Sequence, residues 1–406
     1  MTGNEQRLAA AEGRLAAVLH RWDDEAAFAA GQAAGTAWSG GALRLTAPVG
    51  RETYADPFGH GSLDWEYGSW TSPWAAMPFA ATDIVPSWTA DAPDGARITV
   101  RLRIRDTGGH ESGWYVMGHW SSGDAVVHRA TVPGQSDSQG HVDADTFTAV
   151  GHGVTACRLQ VVLAREAGAD VEVALRGVRA VASRPPVGAT PAVSGPGGAW
   201  GTVLDVPARS QGAHIGHCPQ WDGGGEAWAG PACTAMLVEF FGRGPGAADL
   251  TWLDPDDPAP QVDFTARHVY DYGYKGCGNW AFNAAYPARY GLRGAVVRLP
   301  ALTDVERFIS AGLPIATTLS FRSSELSGAG QSAAGNIMVV RGFTGSGDVV
   351  VNDPLAATDA GVRRVYPRAA FERVWLSGDG GGGVAYLLHP EGTALPPPVP
   401  GEPPRW

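Results

Sequence analysis

The sequence predicts two domains in series: an all-β sandwich of jelly-roll type, then an α+β domain. Three observations predict this. A chain of 406 residues is long for a single hydrophobic core. Its first half alternates apolar and polar residues with period two between Gly, Asp and Pro turns, as antiparallel strands with one wet face do. A Pro/Gly-rich stretch then separates that pattern from one in which helices and strands mix.

The elements follow in order. Leu8, Leu15, Val18 and Leu19 recur among alanines and charges, predicting a short amphipathic helix over 4–20, inside a lead of residues 1–35. The sandwich spans 36–184. In 42–47, Leu43 and Leu45 share one face while Arg44 and Thr46 share the other, and 96–104 and 171–178 alternate likewise. Residues 185–199 form the linker. The second domain spans 200–392. A helix begins at Gly230-Pro231, where Pro is tolerated in the first turn, and runs to Phe241 before Gly242. A second covers 303–311 ahead of Gly312 and Pro314, and strands at 315–321, 337–343 and 348–352 complete an α+β layout. The tail, 393–406, carries Pro396, Pro397, Pro398 and Pro400 and reads as extended and disordered.

Composition excludes some function classes. The net charge is −11 and no basic run occurs, which disfavours nucleic acid as a partner. No stretch reaches the roughly 18–20 apolar residues of a membrane span. Glu12, Arg14 and Arg21 interrupt the apolar residues at the N-terminus, so a secretory signal is not expected and a cytoplasmic location is. Cys157, Cys218, Cys233 and Cys277 do not form a disulfide framework by spacing.

Chemistry concentrates in two segments. In 220–236, Gln220 precedes Asp222-Gly223-Gly224-Gly225-Glu226-Ala227-Trp228, then Ala229-Gly230-Pro231 opens a helix. About a hundred residues on comes Gly335-Asn336-Ile337-Met338. These segments resemble the active-site entry and the histidine-bearing strand of papain-like cysteine peptidases of the bacteriocin-leader-processing type, peptidase family C thirty-nine. The likeness is to an actinobacterial branch with an N-terminal β-sandwich. It extends to Tyr54–Gly59, Val206-Pro207, Gly278–Asn283 and Val351–Pro354. The resemblance implies a papain-like fold for the second domain. It places Ala229 at the nucleophile position, Asn336 at the histidine, Gln220 at the oxyanion donor and Asp353 at the orienting residue, with Asn352 a lesser substitute. Such a site needs a thiolate at a helix N-terminus, a titrating imidazole and donors to the oxyanion. Ala229 has no polar side chain and an amide does not titrate near neutrality. Cysteine-peptidase chemistry is therefore not expected. Cys233, one turn deeper on the same helical face, reads as a small buried hydrophobe in preference to a displaced nucleophile.

Other features carry both a chemical and a structural reading. His214-x-x-His217-Cys218 has metal-ligand types, but no second Cys/His pair follows at zinc-site spacing, so no metal site is expected. His217 and Cys218 instead read as lining the old cleft. Glu226 and Asp222 complement the helix dipole, with a new general base the sharper alternative. Tyr270, Tyr272, Tyr274, Trp280 and Phe282 form either an aromatic wall or core. Trp65, Trp70, Trp74, Trp88, Trp114 and Trp120 in the sandwich are buried by default and would bind sugar only if exposed. Gly223-Gly224-Gly225 lacks the following Lys-Ser/Thr of a phosphate loop.

The expected function is that of a pseudopeptidase without a cofactor. It holds a peptide or peptide-like small molecule in the former cleft, with His217, Cys218, Glu226, Trp228, Asn279 and Trp280 as candidate contacts. The alternative is a repurposed biosynthetic enzyme performing non-thiol acid/base chemistry, such as cyclisation, isomerisation or condensation, on a peptide-like metabolite.

Overall fold

Hydrophobic alternation builds two large sheets from the first half of the chain. The computed structural model describes residues 14–59, 61–186, 192–378 and 381–406. These residues pack as two compact units. One comprises Leu19–Ala182 with His268–Arg289; the other comprises Ser183–Arg267 and Tyr290–Trp406, with the stretch ending at Val18.

In the first unit, one sheet has the strand order Gly140–Asp143, Thr146–Ala149, Asp83–Asp91, Ala174–Arg184, Ala42–Leu45, Thr36–Ser39, with Ala16–Trp22 also against Ala174–Arg184. The other runs Tyr115–Trp120, Ala96–Asp106, Val154–Glu166, Gly61–Thr71, Gln32–Ala34, with Gly50–Asp56 and Ala75–Ala81 at its flanks. Ala96–Asp106 and Val154–Glu166 pair antiparallel from Ala96–Arg165 to Asp106–Val154. Ile98, Val100, Leu102 and Ile104 point into the core, while Arg101, Arg103 and Arg105 are half-buried or exposed on the opposite face. The rings of Trp88 and Trp120, one from each sheet, lie 6.4 Å apart in the shared core. Trp65, Trp70, Trp88 and Trp120 are all buried, and Trp74 and Trp114 are half-buried beside arginines.

A short helix, α1 (Glu25–Ala29), is capped by Asp24, whose side chain accepts from Ala27 N at 2.8 Å. The amphipathic helix expected over 4–20 is not formed where the chain is described: residues 14–15 are not helical, Ala16–Trp22 is a strand, and residues 4–13 lie outside the described residues. Pairing with Ala174–Arg184 and burial of Ala17, Val18, Leu19 and Trp22 override the local helical preference.

His119 sits in this unit with Nδ1 2.9 Å from Thr99 Oγ1. Burial, helped by Arg97 and Arg101, pushes its imidazole down to about 3 from 6.5. The unfolded chain therefore takes up a proton that the folded one refuses, and this contribution to stability falls as pH drops from about 6.5 towards about 3. His119→Gln should lose less stability than the wild type between pH 7 and pH 4.5, read as thermal midpoints at the two pH values. Equal losses would refute this account.

The second unit is built on a six-stranded antiparallel sheet. Its order is Leu292–Arg298, Val384–Pro390, Ile315–Phe321, Ala333–Phe343, Val349–Asn352, Arg363–Tyr366. Helix α2 (Ala229–Phe240) lies against the strand Ala333–Phe343. Ala229 to Val238 are all buried, so α2 is a central helix. Helix α3 (Pro260–Val269) follows. Helix α4 (Trp280–Ala285) belongs to the sandwich unit, and α5 (Leu302–Ser310) and α6 (Arg368–Leu376) pack on the sheet. Among the described residues no helix is long and apolar enough to cross a membrane.

A contiguous division at the linker is not how the chain packs. Phe282 of α4 is buried with its ring 6.0 Å from Trp88 and 5.2 Å from Trp120. Asp271 accepts from Thr131 N at 2.9 Å, Thr131 Oγ1 at 2.8 Å and Asn279 Nδ2 at 2.8 Å. These contacts hold 268–289 in the sandwich unit. The described part of the linker is not free either. Buried Glu306 accepts from Gly197 N at 2.7 Å and Ala199 N at 3.0 Å and pairs with Arg368 at 2.8 Å. The tail also docks, contrary to the disorder expected. Trp406 is buried 5.1 Å from Phe308, its indole donates to Pro396 O at 2.7 Å, and Arg405 meets Asp304 at 3.2 Å. The prolines make the segment extended, and Trp406 gives it an apolar anchor.

Candidate functional site

Small residues let α2 approach the strand Ala333–Phe343 closely, and the site lies along that contact. Ala229 is the first residue of the helix and offers only a methyl group. The first N–H groups of any helix lack intrahelical acceptors, so Ala229 and Gly230 present theirs at this end, while Pro231 has none to present. One turn on, Cys233 is fully buried and its thiol donates to Ile337 O at 3.2 Å. Burial, then the charge of Asp353, holds that thiol well above its ordinary pKa. Cys233 is thus a protonated core side chain bonded one residue past Asn336.

Asn336 is almost completely buried and its Nδ2 donates to Asp353 Oδ1 at 3.2 Å. Asp353 is fully buried and fully engaged. Leu355 N donates to Oδ1 at 3.1 Å, while Tyr366 Oη and Arg364 Nη1 reach Oδ2 at 2.7 and 3.3 Å. Burial, then Asp353, pushes the Tyr366 hydroxyl up, so it stays a donor. The Oδ1 of Asn336 is buried with no hydrogen-bond partner. Asn352 faces elsewhere: its Nδ2 donates to Pro207 O at 2.8 Å and touches Met236.

The loop before α2 is shaped by close backbone packing. A Cβ on Gly225 would lie 2.3 Å from Gln211 O and 2.4 Å from His214 C, so only glycine fits there. Trp228 is not a contact residue facing a ligand. It is fully buried, and its indole donates to Trp221 O at 2.7 Å. Gln220 and Glu226 are exposed on this loop. Gln211, missed in the sequence reading, is buried and donates to Glu226 O at 2.8 Å. Burial, then Asp263 and Asp257, pushes the Cys218 thiol up to about 11, which disqualifies it as a neutral-pH nucleophile.

Asn279 and Trp280 have structural roles of their own. Both belong to the sandwich unit, where Asn279 caps α4 by accepting from Phe282 N at 3.0 Å and the Trp280 N–H donates to Asp145. Asn279 is buried and committed, and the same packing makes Phe282 core instead of an aromatic wall. His214 and His217 are brought together with Asp257 and Asp263, two carboxylates that no sequence spacing had connected to them. Arg364 and Tyr366 were also missed; both sit on the short strand Arg363–Tyr366, whose alternation directs them to the side of Asp353.

The model of a protein family described as Peptidase C39 N-terminal domain matches residues 18–183, and that of the Peptidase_C39 like family matches residues 203–380. No curated protein matches the chain. Among solved structures, TmCBM61 in complex with beta-1,4-galactotriose is 10% identical over 42% of this chain and 86% of its own, with a TM-score of 0.18. An exo-beta-agarase is 12% identical over 48% of this chain and 27% of its own, with a TM-score of 0.19. Likenesses this faint say nothing about what the chain binds.

Proposed function

Because this chain belongs to the peptidase C39-like family, with that family's N-terminal domain ahead of the peptidase-like region, we propose that it is a pseudopeptidase. It holds a peptide or peptide-like molecule at the α2–strand contact without cutting it. The observation that carries this reading is the state of Asn336. Its amide is fixed by a fully satisfied Asp353, yet its Oδ1 stays buried and unpartnered. A buried acceptor without a partner costs about 1–3 kcal/mol, a cost that a ligand N–H would remove. The helix N-terminus supplies the complementary donors for a ligand carbonyl. A donor–acceptor pair of this kind suits a peptide group, and neither member titrates near neutrality.

The test is native mass spectrometry of the full chain after exposure to a diverse peptide mixture and to cell extract. The wild type should retain a defined species and leave peptide masses unchanged. Asn336→Leu, similar in size but without an acceptor, should retain about tenfold less, the worth of one hydrogen bond. Equal retention by both proteins refutes the role of Asn336. A new product mass would refute the pseudopeptidase reading in favour of acid/base chemistry in the same cleft.

A further inference from the structure

Four side chains converge away from the Asn336–Asp353 pair. His214 ends the short turn Gly212–His214, His217 lies three residues on, Asp257 follows a turn that begins at Asp254, and Asp263 lies in α3. One donor atom from each falls within 4.8 Å of all the others. The Nδ1 of His214 is 2.6 Å from Asp263 Oδ2 and 3.8 Å from Asp257 Oδ1. The Nδ1 of His217 is 3.2 Å from Asp263 Oδ1 and 3.7 Å from Asp257 Oδ2. His214, Asp257 and Asp263 have side chains at most 2% exposed, and His217 closes the cluster on the solvent side at 36%.

Two buried carboxylates this close repel, a strain that a shared proton or a cation relieves. Ordinary His–Asp hydrogen bonding does not account for the geometry. The Nδ1 and Nε2 of His214 and the Oδ2 of Asp263 have no hydrogen-bond partner, even though Nδ1 and Oδ2 are the closest pair in the cluster. The two atoms approach closely without the alignment of a hydrogen bond. Ligand atoms about 2.0–2.2 Å from one tetrahedral ion lie roughly 3.4 Å from each other. The nearest imidazole–carboxylate separations, 2.6, 3.2, 3.7 and 3.8 Å, lie around that value, and one ligand atom from each residue is within 4.8 Å of the others, so small side-chain shifts would close the cluster on one ion.

We propose that His214, His217, Asp257 and Asp263 bind one divalent first-row transition-metal ion, zinc being the best match. Two imidazoles with two carboxylates suit zinc or a neighbour of it, whereas calcium and magnesium take oxygen ligands. Four protein ligands make a closed, structural site. The ion ties the loop 212–218 to the 254–263 segment. The His214 ring lies 6.3 Å from that of Trp228, the residue immediately before Ala229, so the ion braces the entry to α2.

The test uses the full chain purified without chelator or a histidine tag. Elemental analysis after dialysis against zinc should find about one equivalent per chain, removable by a chelator. Competition with a chromophoric chelator should give an affinity that falls about tenfold or more in His217→Ala and in Asp263→Asn. Zinc should raise the thermal midpoint of the wild type clearly more than that of either variant. His217 is partly exposed, so its alanine variant is the one expected to stay folded, and circular dichroism checks that. Sub-stoichiometric metal with no thermal shift would overturn the proposal and leave a buried His–Asp ion network. Equal binding by wild type and both variants would overturn it too, by placing the metal elsewhere. Neither result bears on whether the Asn336 site holds a peptide.

Discussion

Asp353→Ala should cost the peptidase-like unit about 3–5 kcal/mol, the usual range for removing one member of a buried charged network. Four groups donate to this carboxylate: Asn336, Leu355, Tyr366 and Arg364. Truncation leaves the Tyr366 hydroxyl and the Asn336 amide buried without an acceptor, and it leaves Arg364 without its counter-ion. Asp353→Asn keeps the volume and one acceptor oxygen, so it should be clearly milder. Urea unfolding of the wild type and both variants measures this, read as a lower midpoint at unchanged slope. A loss below about 1 kcal/mol for the alanine variant would show that the network does not hold the unit together.

The second large effect is chemical. Ala229→Cys combined with Asn336→His should create a thiol that iodoacetamide alkylates at pH 6 about tenfold or more faster than in Ala229→Cys alone. An ordinary thiol, with a pKa near 8.5, is almost wholly protonated at that pH, whereas an ion-paired one is largely thiolate. The orienting carboxylate for an imidazole at position 336 is already in place, since Asp353 holds the present amide at 3.2 Å. The helix N-terminus would act on both proteins, so the comparison isolates the imidazole. Identical rates would mean that the strand and the start of α2 are not aligned for proton transfer.

Much of the fold was legible because it is local. Period-two alternation located Ala42–Leu45 and Ala96–Asp106, and the Gly-Pro start and Gly242 stop located α2 to within a residue. Ala16–Trp22 was misread because its alanines and leucines favour helix, and only the partner strand Ala174–Arg184 decides otherwise. The tail misled because proline content announces an extended chain but not the pocket that takes Trp406. At the site, Ala229 and Asn336 were placed by motif. Which of Asn352 and Asp353 faces Asn336 depends on strand phase, and the hydrogen bonds settle it in favour of Asp353. The His214–Asp263 cluster was half visible. The histidines are three apart in sequence, but Asp257 and Asp263 come roughly forty to fifty residues later, and only the tertiary fold closes that gap.

The placement of 268–289 within the sandwich unit bears on how the protein is made. On a ribosome the sandwich strands are complete once Arg184 has emerged, yet the core under Trp88 and Trp120 still lacks Phe282. Roughly another hundred residues must be translated before that gap closes, several seconds at ordinary elongation rates. For that interval an aromatic-rich surface stands open, the kind of surface that chaperones hold and that drives aggregation. For the same reason a gene fragment cut at the Pro/Gly stretch would deliver a sandwich permanently arrested at that stage.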